Sequence, residues 1–435
     1  MPRRRLTRSV AAAAAVLGLG VTLFSVSSVL APPSQQVAPP SAPAAAVTPA
    51  SSIAVLQQRL KRLPGDWGGW AALGSAYLDA GIASADPAYY SKADGALARS
   101  LQIHPGGNAA AVTGQAALAA SRHNFSSALK LALASKRINP YSSANQGVLV
   151  DALVELGHYD KAEVELQRMM DLKPSVPAYT RVSYFRELHG DVKGARSALD
   201  EADALASRPN DRAFIERYLG ELAFSTGNLP EALKHYDQGL QVVPDNPPLL
   251  AARARARVAS GQLDAGLQDY RTSTTMLPLS TNIAEYAFAL RVAGRPAEAA
   301  QQEALVGTTY RLLRASGSNV DLELSLYEAD HGQAHAAVRA ATREYARRAS
   351  VHTEDALGWA LHTAGRNREA LKHAKAAERL SATNASFAYH RGMIEQALGM
   401  DAAARKSLQR ALRTNPFFSL AGAARARQTL QKLNR

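Results

Sequence analysis

The sequence predicts an all-α protein, a solenoid of helical hairpins stacked one on the next. Three observations carry this prediction. Gly157, Gly190, Gly227, Gly261, Gly294, Gly332, Gly365 and Gly399 recur with gaps of 33, 37, 34, 33, 38, 33 and 34 residues. Five residues after each stands a small side chain: Ala162, Ala195, Ala232, Gly266, Ala299, Ala337, Ala370 and Ala404. No sustained period-two run of Val, Ile or Thr, and no Asn-Gly turn, signals a strand. A period near 34 with a small residue locked to it marks stacked helical units.

In chain order, the first element is a targeting segment, residues 1–31. Arg3, Arg4, Arg5 and Arg8 precede an apolar stretch from Val10 to Leu30, and Val29-Leu30-Ala31 is an acceptable small-residue cleavage site. Two readings stay open: a secretory signal that is removed, or an anchor whose roughly 20 residues just span a bilayer. Either way the arginine flank stays cytoplasmic and the rest is exported, secreted or held in the cytoplasmic membrane through residues 10–30. Residues 32–52 hold Pro32, Pro33, Pro39, Pro40, Pro43 and Pro49 among Ala, Ser and Gln. Such a stretch cannot bury enough apolar surface to fold and reads as a disordered, extended spacer.

Residues 53–435 are expected to form the superhelix with its capping helices. Ile53, Leu56, Leu60 and Leu63 suit a helix that covers the front of the stack. Within the stack, each glycine ends one helix, because a residue without a Cβ enters the left-handed region freely. Each small residue lies in the first turns of the next helix, where the pair approaches closely. A larger side chain there would cost roughly 1–3 kcal/mol as overpacking. Pro105, Pro140, Pro174, Pro244, Pro278 and Pro416 punctuate the far ends, since proline cannot continue a helix. Phe417 to Leu433 reads as a closing amphipathic helix, with Leu420, Ala424, Leu430 and Leu433 apolar and the basic residues outward.

Three departures interrupt the pattern. His123 stands where the second unit expects its turn glycine. Arg253 and Arg257 fall where the sixth unit expects core residues. Extra residues around Ser316–Asn319 separate the seventh unit from the eighth. These units are expected to pack loosely or to bend the stack.

The units resemble the tetratricopeptide repeat, whose pattern is Trp-x2-Leu-Gly-x2-Tyr followed by Ala, an aromatic, Ala and Pro. The first unit carries Trp70, Leu73, Gly74, Tyr77 and Gly81, then Ala93, Leu97 and Pro105. The third carries Leu149, Gly157, Tyr159, Ala162, Leu166 and Pro174. In the fifth stand Leu219, Gly220, Gly227, Leu229, Ala232, Tyr236 and Pro244, and in the ninth Leu357, Gly358, Gly365, Ala370 and Ala374. About ten units run across 67–416. The resemblance implies a right-handed superhelix and a non-catalytic scaffold that binds a protein or peptide in its concave groove, lined by the first helix of each unit.

Composition narrows the function classes. Only 6% of the 435 residues are aromatic, which suits an Ala- and Leu-filled stack better than one deep enzyme core. Without cysteine the chain has no disulfide, thiolate metal site or thiol nucleophile. No nucleophile elbow, phosphate loop, paired-histidine zinc helix or calcium loop is present. His331 and His335 have metal-like spacing, but Gly332 between them predicts a turn that parts them. No catalytic, cofactor-binding or metal-ligating residue is therefore expected, and no enzyme activity. Arginine outnumbers lysine about three to one and alanine is abundant, a bias that points to a GC-rich bacterial source.

The formal charge is +13, and about +9 once residues 1–31 and their four arginines are set aside. Nucleic acid is not expected as a partner, because the segment before the repeats predicts export and basic and aromatic residues do not interleave. Counting back from the turn glycines gives the outward positions of the first helices: Tyr184 in the fourth unit, Arg217 and Glu221 in the fifth, and Arg255 in the sixth. Phe288 and Arg291 follow in the seventh, Trp359 and His362 in the ninth, and Tyr389 and Met393 in the tenth. Arginines and aromatic rings on one face are the usual anchors of a protein interface. They would suit a partner carrying carboxylates and apolar side chains. A register shift of one residue would instead make Trp359 or Phe288 core packing. No lysine–asparagine clamp for a terminal carboxylate appears; the corresponding positions are Ala71, Ser75, Gly147 and Asp151. The alternative is an adaptor whose arginines meet an anionic cell-wall polymer or lipid headgroups.

Overall fold

The computed structural model describes residues 49–381 and 383–434, and all regular structure among them is helical. Ten helical hairpins follow one another: 67–103, 109–138, 143–172, 176–204, 209–242, 247–276, 280–315, 321–347, 351–377 and 385–414. They are numbered here as units one to ten. A single helix precedes them, Pro49–Arg62, and another follows, Leu420–Leu433. The leading helix takes up 49–52, the end of the stretch assigned to the spacer; the rest of that stretch and the segment 1–31 lie outside the described residues. No helix among the described residues is long and apolar enough to cross a membrane.

Local chemistry fixes where the helices begin and end. Asp66, Asn108, Asn124, Ser142, Asp191, Asn228, Asn246 and Ser350 each accept a hydrogen bond from the backbone N–H three residues on. Each such cap contributes about 1 kcal/mol. Pro209, Pro230, Pro247 and Pro296 occupy first turns, where the missing N–H removes no helical bond. All eight ladder glycines have φ between 73° and 87°. In unit five Asn228 N–H donates to Ala223 C=O and Gly227 N–H to Phe224 C=O, both at 2.9 Å. That pair of bonds requires a left-handed residue at Gly227.

The small residue after each glycine is where the hairpin closes. Ala162, Ala195, Ala232, Ala299, Ala337, Ala370 and Ala404 have no exposed surface. At the eighth such position, a Cβ on Gly266 would lie 2.6 Å from Val258 Cγ2. The departures do not loosen the stack. Arg253 donates to Asp269 at 2.8 and 2.9 Å and to Asp237 at 2.8 Å, and Arg257 donates to Asp269 at 2.8 Å. These arginines tie the two helices of unit six together. The extra residues of unit seven lengthen its second helix, Pro296–Ala315, to 20 residues.

The superhelix comes back upon itself. Hairpin turns of units two to five meet the loops that follow units seven to ten. Asn319 N–H donates to Arg122 C=O at 2.9 Å, while His123 Nδ1 lies 2.8 Å from Asn319 C=O. One unit on, Arg348 pairs with Glu155 and Glu344, all three buried, and Val351 N–H donates to the Tyr159 hydroxyl at 3.0 Å. Gly190 faces Ser381, and Asn415 Nδ2 donates to Phe224 C=O at 2.8 Å. The His123, Arg348, Val351 and Asn415 contacts span 196, 193, 192 and 191 residues. A nearly constant offset means that one turn takes about 192 residues, between five and six units, and that successive turns are in register.

Candidate functional site

In units three and nine most residues of the first helix are buried, whereas the second helix keeps an exposed outer face; the first helices of units four to ten turn toward the axis of the coil. Because the coil closes, these first helices enclose a cavity of about 970 Å³. First helices of units four to ten contribute to it, together with Gly81 and Ile82 of unit one and the turn of unit two. Phe214, Tyr218, Phe224, Tyr389 and Phe418 give the wall an apolar, aromatic character. Such a volume is at the upper end of what a bound ligand fills.

Five of the ten sequence-predicted residues line the cavity: Tyr184, Arg217, Glu221, Arg255 and Tyr389. Tyr184 Oη lies 3.2 Å from His352 Nε2, a contact between successive turns of the coil. The Arg217 guanidinium sits over the Tyr218 ring at 4.5 Å. Arg255 is hydrogen-bonded to Glu221, lies 3.7 Å from Glu285 and stacks over Phe224 at 4.5 Å. Burial pulls its proton affinity down, but Glu221 and Glu285 outweigh that and hold Arg255 firmly charged. Tyr389 is buried between Trp359 and Phe418, and burial pushes its hydroxyl up to about 12.

The other five lie elsewhere. Trp359 is 2% exposed, donates Nε1–H to Asp330 at 2.8 Å and stacks on His390 at 4.1 Å, so it is core packing. His362 stacks on Trp359 and holds Asn367 Oδ1 at 2.6 Å. Met393 is covered by Thr429 of the closing helix. Arg291 is exposed and makes a bidentate pair with Glu303 at 2.7 Å. Phe288 borders a separate small pocket with Tyr270, Phe417 and Leu420. The physical reason is that the cavity crosses the first helices obliquely. Tyr184 and Glu187 lie six and three residues before Gly190, whereas His352 and Asp355 lie thirteen and ten before Gly365. A single set of outward positions cannot follow that drift.

Sequence reasoning missed Glu187, Glu285, Glu323, Asp330, His352 and Asp355, all in the wall. Their only sequence signal is position on first helices, since acidic residues are common on any solvated helix. Burial raises the Glu187 carboxyl to about 7, helped by Glu221 nearby. It raises Asp330 to about 7 as well, against the hydrogen bond from Trp359. Burial, with Arg348 close by, lowers His352 to about 4 and keeps it neutral. Asp355 holds His390 Nδ1 at 2.9 Å. The wall is thus acidic, the reverse of the basic groove expected from the arginines, because Arg255 is held by its own carboxylates. His331 and His335 fall on either side of the turn at Gly332, and no group of three potential metal ligands occurs among the described residues.

No family profile matches the sequence, and no curated protein matches it. Solved structures with a similar trace include two tetratricopeptide repeat proteins. A tetratricopeptide repeat protein from Parabacteroides merdae is 17% identical, with 60% of this chain and 99% of that one covered and a TM-score of 0.37. A thermophilic TPR protein from Thermus thermophilus is 23% identical over 42% of this chain and 99% of its own, with a TM-score of 0.38. A chain of an APC/C hetero-tetramer is 11% identical, covers 89% and 90%, and scores 0.40. The reading of the cavity rests on this chain's own geometry.

Proposed function

We propose that this protein is a non-catalytic scaffold of the tetratricopeptide type that holds an extended segment of a partner protein against the inner wall of its superhelix. The observation that carries this reading is the 970 Å³ cavity, walled by aromatic and charged side chains from the first helices of seven consecutive units. A surface built from many rigid helices is preorganised, so binding does not have to order it. Tyr184, Arg217, Glu221, Arg255 and Tyr389 are the contact residues. The adaptor for anionic polymers or headgroups has less support, because Arg196, Arg253, Arg291, Arg343 and Arg347 are already tied to carboxylates of this chain. The arginine-flanked apolar stretch 10–30 supports a place outside the cytoplasm, secreted or anchored; recovery of the protein in the cytosolic fraction would overturn that.

A random peptide display library panned on the protein and re-screened on Phe214→Ala, which removes an aromatic ring from the wall without changing its charge, tests the assignment. Selected peptides are expected to lose about tenfold or more in affinity for the variant, as for truncation of an interface anchor. Peptides that bind both proteins equally would place the binding surface elsewhere.

A further inference from the structure

We propose that the inner wall selects a cationic occupant: an extended stretch of a partner protein in which lysine or arginine alternates with apolar side chains. This rests on the reading of the inner wall as the binding surface and adds the sign of its charge.

The wall and the whole molecule carry opposite charge. Lys and Arg outnumber Asp and Glu by 50 to 37 in the chain. In the cavity the count reverses: six carboxylates, Glu187, Glu221, Glu285, Glu323, Asp330 and Asp355, face two arginines and no lysine. The two arginines leave an excess of four acidic side chains. Arg255 is shared between Glu221 and Glu285, and Arg217 lies over an aromatic ring. Glu187 makes no ion pair with any described residue; its neighbours are Glu221 and the Ser225 hydroxyl. Glu323 Oε2 is buried without a hydrogen-bond partner.

A second, independent feature marks the cavity as a place for an occupant. His352 is 8% exposed, lines the cavity, and uses only Nε2, toward Tyr184; its Nδ1 has no partner. A buried polar atom left unpaired is a defect in the empty cavity and a contact in a filled one. The raised proton affinity of Glu187 is what a carboxyl shows when desolvated without a counter-cation. An ammonium or guanidinium entering the cavity would supply that cation. The half-buried Tyr90 and Phe214 rings in the wall offer apolar contact to its neighbours. An anionic segment would meet the same carboxylates and be repelled.

The test uses three fluorescent octapeptides, blocked at both ends, with leucine and tyrosine at alternate positions and lysine, glutamate or glutamine at the rest. Anisotropy titrations with the full chain are expected to show the lysine peptide binding about tenfold or more tighter than the glutamine peptide, with the glutamate peptide weakest. Glu187→Gln combined with Glu323→Gln breaks no ion pair and removes a desolvated charge at Glu187, so the melting temperature by circular dichroism is expected not to fall. The double variant is expected to bring the lysine peptide down to the level of the glutamine peptide. Equal binding of all three, preference for glutamate, or a lysine preference that survives the double variant would overturn the charge assignment and leave the inner-wall reading standing. No binding of any of the three would overturn both.

Discussion

At the residue scale, the ladder glycines divide into two groups that the sequence does not separate. Every one has positive φ, so the turn chemistry was legible from spacing alone. What the spacing hides is the neighbour. A Cβ on Gly157 would lie 2.6 Å from the Ala349 carbonyl oxygen, and one on Gly227 2.8 Å from Pro416 Cδ, whereas Gly365 has nothing within 4 Å. Gly365→Ala is expected to cost only left-handed strain, about 1–2 kcal/mol. Gly157→Ala adds displacement of a backbone loop and is expected to cost about 1–3 kcal/mol more. Urea titrations of the two variants check this; equal losses would mean that the turns of the superhelix do not touch in solution. His123 shows the same logic without glycine. Its φ of 56° is held by the second turn, through its ring to Asn319 C=O and through Arg122 C=O to Asn319 N–H. Sequence alone marks it as a missing glycine and gives no reason for the histidine.

At the element scale, helices and their pairing follow the repeat closely, because caps, prolines and small residues are local signals. Long-range salt bridges are not local and were not legible. The junction of units seven and eight is the clearest case. The extra residues around Ser316–Asn319 do not loosen it, since they bring Asp321 to a point where Arg314, Arg343 and Arg347 all donate to it at 2.7–2.8 Å. Burial raises the Asp321 carboxyl, but the three guanidiniums outweigh it and hold the group at about 2. A carboxyl whose folded pKa is depressed contributes stability above its unfolded pKa, near 3.8, and loses it as pH falls toward 2. Because the arginines are 46–49% exposed, that contribution is on the order of 1 kcal/mol after screening. Asp321→Asn is therefore expected to lower the melting temperature at pH 7 and to approach the parent as pH drops from 4 to 2.5. A difference that stays constant with pH would show that the charge of Asp321 contributes nothing.

At the scale of the whole molecule, the sequence yields a curved stack with a free inner wall, and the structure turns that into a closed coil around a cavity. Closure arises from a small rotation per unit that adds up over about 192 residues, and no single residue encodes it. It also explains why only five of the ten residues named from the sequence line the cavity. Trp359 and Met393 sit on helices whose later turns are covered by neighbouring units and by the closing helix, while the wall moves toward their starts. The charge of the wall was equally hidden, because it depends on which carboxylates keep no partner once the coil has closed. The most direct test uses the absence of cysteine, which gives each single-cysteine variant one thiol. Arg217→Cys places it on the inner wall and Arg291→Cys on the outside. With the lysine-bearing octapeptide at saturation, maleimide labelling is expected to slow about tenfold or more at position 217 and to be unchanged at 291. Equal rates at 217 with and without peptide, or protection at 291 instead, would contradict the inner wall as the binding surface.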